Sequence, residues 1–138
     1  AAALAYSRLG EHGALWQALA LLGALVDRPR RPLYLRAMRA ILLTYGVNTA
    51  IKQLTRRARP AFDDLPHLMP TITGRSYPSA HASMSFAAAR TLSAALPATP
   101  LYAAAAAMAL SRPYLGVHYP SDIAAGALLG DALGLLTP

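Results

Sequence analysis

The chain has 138 residues, a length that fits one domain with a single hydrophobic core and therefore one site. Hydrophobic residues make up 55% of it and charged residues only 14%, against about 25% charged residues in an average soluble domain, so the composition favours residence in a membrane. The absence of cysteine excludes disulfides and thiolate metal sites, and the formal net charge of +7 admits nucleic acid, anionic lipid or a phosphate-bearing substrate as partner.

The hydrophobic residues fall into five blocks, and each predicts a helix because alanine and leucine dominate while β-branched residues are sparse. The blocks cover residues 14–26, 40–51, 82–95, 101–110 and 123–136. None is an uninterrupted run of the roughly 20 uncharged apolar residues that a free-standing span needs. We predict an all-α fold, an integral membrane bundle of about five to six transmembrane helices. Hydropathy alone is also compatible with a soluble helical bundle.

Residues at the block ends favour the membrane. Arg39, Lys52 and Arg90 stand where long cationic side chains reach the interface. Aromatic residues near the block edges suit an interfacial belt, and they are Trp16, Tyr34, Tyr77, Tyr102, Tyr114 and Tyr119. No signal peptide is predicted, because no basic region precedes the first alanines.

Two groups of polar residues lack a recognised metal-ligand spacing. They are Glu11 with His12, and His67 with Asp63 and Asp64. We interpret both as groups at the molecular surface or at the level of the lipid headgroups, and we predict no metal site.

A cluster of cations follows the second block. Lys52 and Arg59 are seven residues apart, so on a continuing helix they would project from the same side and bind different oxygens of one phosphate. Pro60 is expected to end that helix. Taken alone, such a pair is more often a solvated basic helix end. The connection that follows, up to Tyr77, is either a lid, a lipid-binding surface or a plain connector.

The segment Pro78-Ser79-Ala80-His81 opens the third block. Ser79 is a natural N-cap, and the backbone N–H groups at a helix start bind anions. His81, in the first turn, is placed to give a proton to a leaving oxygen. By itself, the tetrapeptide fits an ordinary helix cap equally well.

A third segment, between the fourth and fifth blocks, contains Arg112, His118 and Asp122. A carboxylate four residues after a histidine can fix the tautomer of the imidazole and leave the other ring nitrogen as a nucleophile. The planar guanidinium of Arg112 suits bidentate contact with phosphate oxygens. A purely structural His–Asp pair is the alternative.

The last block is rich in small residues. Gly126, Gly130 and Gly134 allow close approach of a neighbouring helix. The G-x-x-x-G spacing of the first two is a weak signal that more often reflects incidental packing than a dimer interface. Asp131, deep in the same block, is expected to face protein or water rather than lipid.

The order of the blocks predicts where the motifs lie. If consecutive blocks cross the membrane in alternate directions, then Lys52, His81, Arg112 and His118 fall on the same side. The basic residues outside the motifs are nearly balanced between the two sides, so the positive-inside rule only weakly favours an extracytoplasmic site. The cations are separated by apolar segments and do not form a face with interleaved aromatics, which argues against nucleic acid.

Together the stretches K-x6-R-P, P-S-A-H and S-R-x5-H-x3-D resemble the three signature motifs of the type 2 phosphatidic acid phosphatase (PAP2) superfamily. This superfamily also includes bacterial acid phosphatases, glucose-6-phosphatase and vanadium haloperoxidases, and the resemblance implies its helical core. The match spans residues 52–122. It departs at Ala80, where the family has glycine; alanine keeps the N–H but restricts the backbone torsions.

The resemblance implies a role for each motif residue. His118 would form a phosphohistidine, Asp122 would orient it, and His81 would protonate the departing alcohol and then activate water. The phosphate would be bound by three cations and the start of a helix, through Lys52, Arg59, Arg112, Ser79 and Ala80. The resemblance implies no metal and no cofactor.

The implied function is that of a single membrane-embedded phosphatase domain, residues 1–138. Its substrate would be a phosphomonoester or pyrophosphate on a lipid, either isoprenoid-linked or a glycerophospholipid, and its partners would be that substrate and membrane lipid. Two other classes stay open: a vanadium-dependent haloperoxidase-like enzyme, which resembles much longer soluble proteins, and a non-catalytic membrane scaffold.

Overall fold

The computed structural model describes residues 2–61, 71 and 73–138. The described part contains six α-helices, two short 3-10 turns at Glu11–Gly13 and Arg28–Arg30, and an isolated β-bridge between Ala58 and Arg75. The helices are α1 Ala2–Leu9, α2 Ala14–Val26, α3 Arg31–Thr55, α4 Ala80–Leu92, α5 Ala98–Tyr114 and α6 Pro120–Leu136. The polar group Asp63, Asp64 and His67, and most of the expected lid, lie outside the described residues.

The prediction of an all-α fold is confirmed, and each of the five hydrophobic blocks coincides with a helix. The sequence did not predict α1, and α3 begins nine residues before its block. This early start brings two arginines onto α3 that bind the end of α6. Arg36 Nε donates to the carbonyl of Thr137 at 2.7 Å, and Arg39 Nη2 donates to that of Pro138 at 3.2 Å. These carbonyls lack a partner within their own helix, so the arginines cap the C-terminus of α6.

Helix α4 lies at the centre of the bundle and contacts α3, α5 and α6. Most of its residues are alanine, serine or threonine, and nearly all are buried. The buried hydroxyls bond to carbonyls one turn back in the same helix: Ser83 Oγ donates to Ser79 at 2.9 Å and Thr91 Oγ1 to Ala87 at 2.8 Å. A helix of small side chains with satisfied hydroxyls lets its neighbours approach on several sides.

The glycines of α6 pack against α4. A Cβ atom at Gly130 would overlap the carbonyl of Ser83, and one at Gly126 would lie 2.7 Å from the carbonyl oxygen of Ser79. The G-x-x-x-G segment therefore serves close packing within the chain. Because the two helices touch near their N-termini, the start of α6 lies beside the start of α4, where Ser79 N donates to the carbonyl of Asp122 at 3.0 Å.

The prediction of an interfacial aromatic belt is wrong for Trp16 and Tyr34, which are 2% and 3% exposed. The indole Nε1 of Trp16 donates to Ser85 Oγ at 2.8 Å, so the ring lies against the central helix. The ring of Tyr34 occupies the space above Gly23, where a Cβ atom would overlap it. The small side chains of this core leave room for large rings, and burial of a ring stabilises the bundle.

Asp131 faces protein, as expected. The hydroxyl of Tyr102 donates to its Oδ1 at 2.9 Å, and Arg90 Nη2 lies 3.5 Å from its Oδ2. The carboxylate thus links α4, α5 and α6 at the end opposite to their motif residues.

Taken singly, none of the described helices combines the length and apolarity needed to cross a membrane. Helix α1 and the segment Glu11–Val26 meet that condition together, although they are bent by 53° at their junction.

Candidate active site

One cavity of about 150 Å³ brings together residues from four distant parts of the chain. A single water needs roughly 10–15 Å³, so the cavity has room for orthophosphate and further atoms. Its lining includes Lys52, Arg59, Ala80, His81, Arg112 and His118. The prediction that the second to fifth blocks place Lys52, His81, Arg112 and His118 on one side is therefore confirmed.

His118 lies just before α6 and is held by the first turn of that helix. Its Nδ1 lies 3.5 Å from Asp122 Oδ2, and both side chains are buried. The same Oδ2 accepts a hydrogen bond of 2.9 Å from the backbone N–H of Tyr119, because Asp122 is the third residue of a helix that begins at Pro120. The carboxylate thus caps α6 and faces the imidazole at once.

The other nitrogen of His118 is set up as an acceptor. Arg59 Nη1 lies 3.2 Å from Nε2, and a guanidinium only donates, so Nε2 bears the lone pair and the proton of the neutral ring is on Nδ1, 3.5 Å from Asp122 Oδ2. Burial, followed by the charges of Arg59 and Lys52, lowers the pKa of His118 to about 2. A neutral imidazole with a lone pair on Nε2 is the form that can attack phosphorus.

Arg59 reaches the cavity from a loop, so the prediction of a continuing helix that ends at Pro60 is wrong. Helix α3 ends at Thr55, and Arg56 adopts a left-handed conformation with φ of 51°. The chain then runs extended next to Arg75, and Arg59 donates from Nη1 to the carbonyl of Val117 at 2.7 Å. From this extended segment the guanidinium of Arg59 contacts the backbone beside His118.

Lys52 lies in the last turn of α3. Its Nζ reaches the carbonyls of Arg75 and Ser76 at 3.4 and 3.3 Å. An ammonium has three donors, so these bonds fix its direction and still leave it able to bind an anion.

The start of α4 supplies a second imidazole. Ser79 is the N-cap, as predicted, and its Oγ accepts a hydrogen bond from Ala82 N at 3.4 Å. The side chain of Ser79 is fully buried and does not line the cavity. His81 Nε2 lies 3.1 Å from the carbonyl oxygen of Ser7. A carbonyl only accepts, so Nε2 carries the proton of the neutral ring and Nδ1 is left for proton exchange.

Helix α1 contributes to the site, although none of the three motifs includes a residue of this helix. The hydroxyl of Ser7, which is fully buried, accepts a hydrogen bond from Arg112 Nη1, while the carbonyl of the same residue binds His81. Gly10 lies against the His81 ring, since a Cβ atom there would be 2.8 Å from Cδ2. In the sequence, only the small residues Ser7 and Gly10, shortly before the first hydrophobic block, could have indicated this contact.

Arg57 is a second residue that the motifs did not predict. Its Nη1 donates to Asp122 Oδ1 and to Ser121 Oγ, both at 2.9 Å, and its guanidinium lies 4.2 Å from the centre of the Tyr119 ring. Asp122 therefore has Arg57 on one oxygen and His118 on the other. The three arginines at 56, 57 and 59 indicated a cationic segment, but the sequence did not show which of them would bind the Asp122 carboxylate.

Within the described ranges, no three histidine, aspartate or glutamate side chains are close enough to hold a metal ion. Apart from Asp122 and Glu11, the charged groups described around the two imidazoles are cations, which would stabilise the spread negative charge of a phosphoryl group in transfer.

Comparisons with known proteins agree with this chemistry. Residues 33–138 match the model of the PAP2 superfamily. The decaprenylphosphoryl-5-phosphoribose phosphatase of Mycobacterium tuberculosis is 39% identical over 136 residues, which cover 99% of this chain and 77% of the relative. The enzyme of the same name from Mycolicibacterium smegmatis is 40% identical over 126 residues, covering 90% and 69%.

Two solved structures share the fold. The crystal structure of LpxE from Aquifex aeolicus aligns with a TM-score of 0.83 and 25% identity over 98% of this chain and 82% of that one. A transmembrane PAP2-type phosphatidylglycerolphosphate phosphatase from Bacillus subtilis aligns with a TM-score of 0.77 and 22% identity over 99% and 73%.

Proposed function

The chain belongs to the PAP2 superfamily and is a metal-independent phosphatase of that type, and from this premise we propose that it hydrolyses the phosphomonoester of an isoprenoid-linked lipid through a phosphohistidine on His118. The observation that carries the proposal is the 3.2 Å contact between His118 Nε2 and Arg59 Nη1, in a cavity shared with Lys52 and Arg112. Relatives named as phosphatases favour phosphate hydrolysis over the haloperoxidase-like and scaffold alternatives.

The first step forms the phosphoenzyme. The phosphoryl group lies among Lys52, Arg59 and Arg112, and Arg59 exchanges its contact with His118 for a phosphate oxygen. Nε2 attacks phosphorus and the bond from phosphorus to the alcohol oxygen breaks, while His81 Nδ1, which has taken a proton from the monoanionic phosphomonoester, passes that proton to the departing alcohol oxygen. Asp122 stabilises the positive charge that develops on the ring through the proton on Nδ1.

The second step releases phosphate. Water attacks phosphorus while His81 accepts its proton, the bond from phosphorus to Nε2 breaks, and the imidazole regains its lone pair. Both steps pass through a trigonal phosphoryl group, whose equatorial oxygens the three cations neutralise. The backbone N–H of Ala80, at the start of α4, adds a donor to the same oxygens.

The proposed substrate class follows from the relatives, which are named for a decaprenyl-linked phosphosugar. The outer faces of the helices support a lipid environment, since large apolar side chains are exposed there, including Leu22 at 57%, Leu42 at 61% and Leu128 at 74%. We propose a multi-pass membrane protein with its site on the extracytoplasmic side. Helices α2, α3, α5 and α6 pack against α4, and α1 packs against α5, which supports a single phosphatase domain.

The test is to trap the phosphoenzyme. The protein in detergent is mixed with a ³²P-labelled polyprenyl-linked phosphomonoester and quenched, and an alkali-stable, acid-labile label is expected on the wild type and absent from His118→Asn. Tyr114→Phe, an exposed position of the same region, is the matched control and keeps the label. Phosphate release without any label on the wild type, or an equal label on His118→Asn, would refute the mechanism.

A further inference from the structure

The cavity extends beyond the phosphate residues along one polar face of α3. Its lining includes Tyr45, Asn48, Thr49, Lys52 and Gln53. These positions are spaced by three or four residues, so they share one side of the helix. Each carries a hydroxyl, an amide or an ammonium group. Leucines at 42 and 43, one turn earlier, are exposed and do not line the cavity.

The turn after α1 closes the other side of this region. His12 adopts a left-handed conformation with φ of 52°, and its Nδ1 lies 3.2 Å from the hydroxyl of Tyr45. The two rings also meet edge to face at 5.6 Å between centres. Glu11, half-buried beside His12, is the sole acid among the described residues that line the cavity.

A carboxylate in a phosphate-binding cavity needs a physical reason, because it repels the substrate anion. Carboxylate, amide and phenol oxygens all accept hydrogen bonds from hydroxyl groups, and a carboxylate can accept two from a vicinal diol. If an alkyl chain followed the scissile phosphate directly, its methylenes would lie against these polar groups and leave them unpaired. Tyr45 is 38% exposed and Gln53 is also exposed, so such a chain would exclude water from them, and each hydrogen bond to water that is lost without replacement would reduce the specificity constant by about tenfold.

We propose that Glu11, Tyr45 and Gln53 form a subsite for the hydroxyl groups of a sugar that lies between the scissile phosphate and the lipid. The inference rests on the proposed function and specifies the leaving group: a polyhydroxylated ring, with Glu11 accepting from a diol. Tyr45 and Gln53 supply one donor and one acceptor each from the face of α3. His12 holds the phenol of Tyr45 in place.

The test compares two soluble phosphomonoesters that differ in the ring alone, ribose 5-phosphate and pentyl phosphate. The wild type is expected to prefer ribose 5-phosphate by at least about tenfold in kcat/KM. Glu11→Gln and Tyr45→Phe are each expected to reduce this preference by about tenfold, mainly through KM. Leu42→Ala, outside the cavity on the same helix, keeps the preference of the wild type.

A ring lacking one hydroxyl separates recognition from a general electrostatic effect. With 2-deoxyribose 5-phosphate, Glu11→Gln is expected to cost less than with ribose 5-phosphate, because the bond it removes is already missing. An equal loss on all three esters would mean that Glu11 and Tyr45 act on the phosphate or on folding, and would overturn the subsite.

The outcomes also distinguish this inference from the proposed function. Equal kcat/KM for the ribose and pentyl esters in the wild type, with the phosphohistidine still formed, would overturn the sugar subsite and leave the phosphatase in place. The sugar subsite would also be overturned if a polyprenyl-linked ribose that carries a terminal 5-phosphate were hydrolysed no faster than the polyprenyl monophosphate of the same chain length. Failure to release phosphate from any ester, lipid or soluble, would overturn both.

Discussion

Replacing Arg57 with glutamine removes the closest charged partner of the buried Asp122 carboxylate. Asp122 is fully buried, whereas the side chain of Arg57 is 40% exposed, and their atoms lie 2.9 Å apart. Breaking a fully buried ion pair costs about 3–5 kcal/mol. Because solvent screens the exposed guanidinium, we expect the loss in unfolding free energy to be smaller, about 1–2 kcal/mol.

The catalytic effect of the same change comes from the orientation of Asp122. With Oδ1 no longer held by Arg57, the carboxylate can rotate, and the 3.5 Å contact of Oδ2 with His118 Nδ1 loses its direction. A charge-assisted hydrogen bond is worth about 1.5–3 kcal/mol, and a loss at the lower end slows phosphoenzyme formation by about tenfold. Substrate affinity should change little, since Arg57 does not line the cavity.

Rapid-quench measurement of phosphohistidine formation separates these effects. Arg57→Gln should reduce the rate constant about tenfold with KM within a factor of two, and Arg57→Lys should recover part of the rate by restoring the charge. Arg56→Gln is the matched control, because Arg56 Nε bonds only to the carbonyl of Gln53, at 3.2 Å, among the contacts described. If Arg57→Gln and Arg56→Gln behave alike, or if KM alone changes, Arg57 does not position Asp122.

Two further predictions concern the imidazoles. Gly10→Ala would place a Cβ atom against the Met108 side chain and the His81 ring, so it should lower the unfolding free energy by about 1–3 kcal/mol, seen as a lower melting temperature, and reduce kcat about tenfold. Gly46→Ala, where a Cβ atom meets nothing within 4 Å, should stabilise the fold by about 0.5–1 kcal/mol; equal effects at both positions would contradict the packing argument. Separately, the pKa of His118 is lowered from 6.5 to about 2 on folding, so the unfolded chain binds a proton that the folded chain does not. The contribution of His118 to the unfolding free energy should fall by about 1.4 kcal/mol per pH unit below pH 6.5, so denaturant titrations of His118→Asn should show a pH slope smaller than that of the wild type by this amount; an unchanged slope would refute it.

The sequence was sufficient to predict which residues meet in the cavity, because imidazoles and cations are rare in an apolar chain and their order along it is fixed. Lys52, His81, Arg112 and His118 were predicted on one side from the alternation of the blocks, and they line one cavity. The end of α3 could not be predicted, since it depends on the pairing of Ala58 with Arg75, residues that are far apart in sequence.

Contacts that involve the backbone also could not be predicted from the sequence. No residue pattern announces that a carbonyl in α1 will bind an imidazole in α4. The buried position of Trp16 likewise depends on how much space the alanines and serines of α4 leave, which is a property of three-dimensional packing.

Ser7 offers its hydroxyl to Arg112 and its main-chain oxygen to His81. Substitution of the side chain disturbs only the first of these contacts, because every amino acid supplies the second. A survey of point mutants would therefore understate the importance of α1. Insertion or deletion of one residue in α1 would instead shift Ser7, so that Arg112 and His81 would lose their contacts with it at the same time.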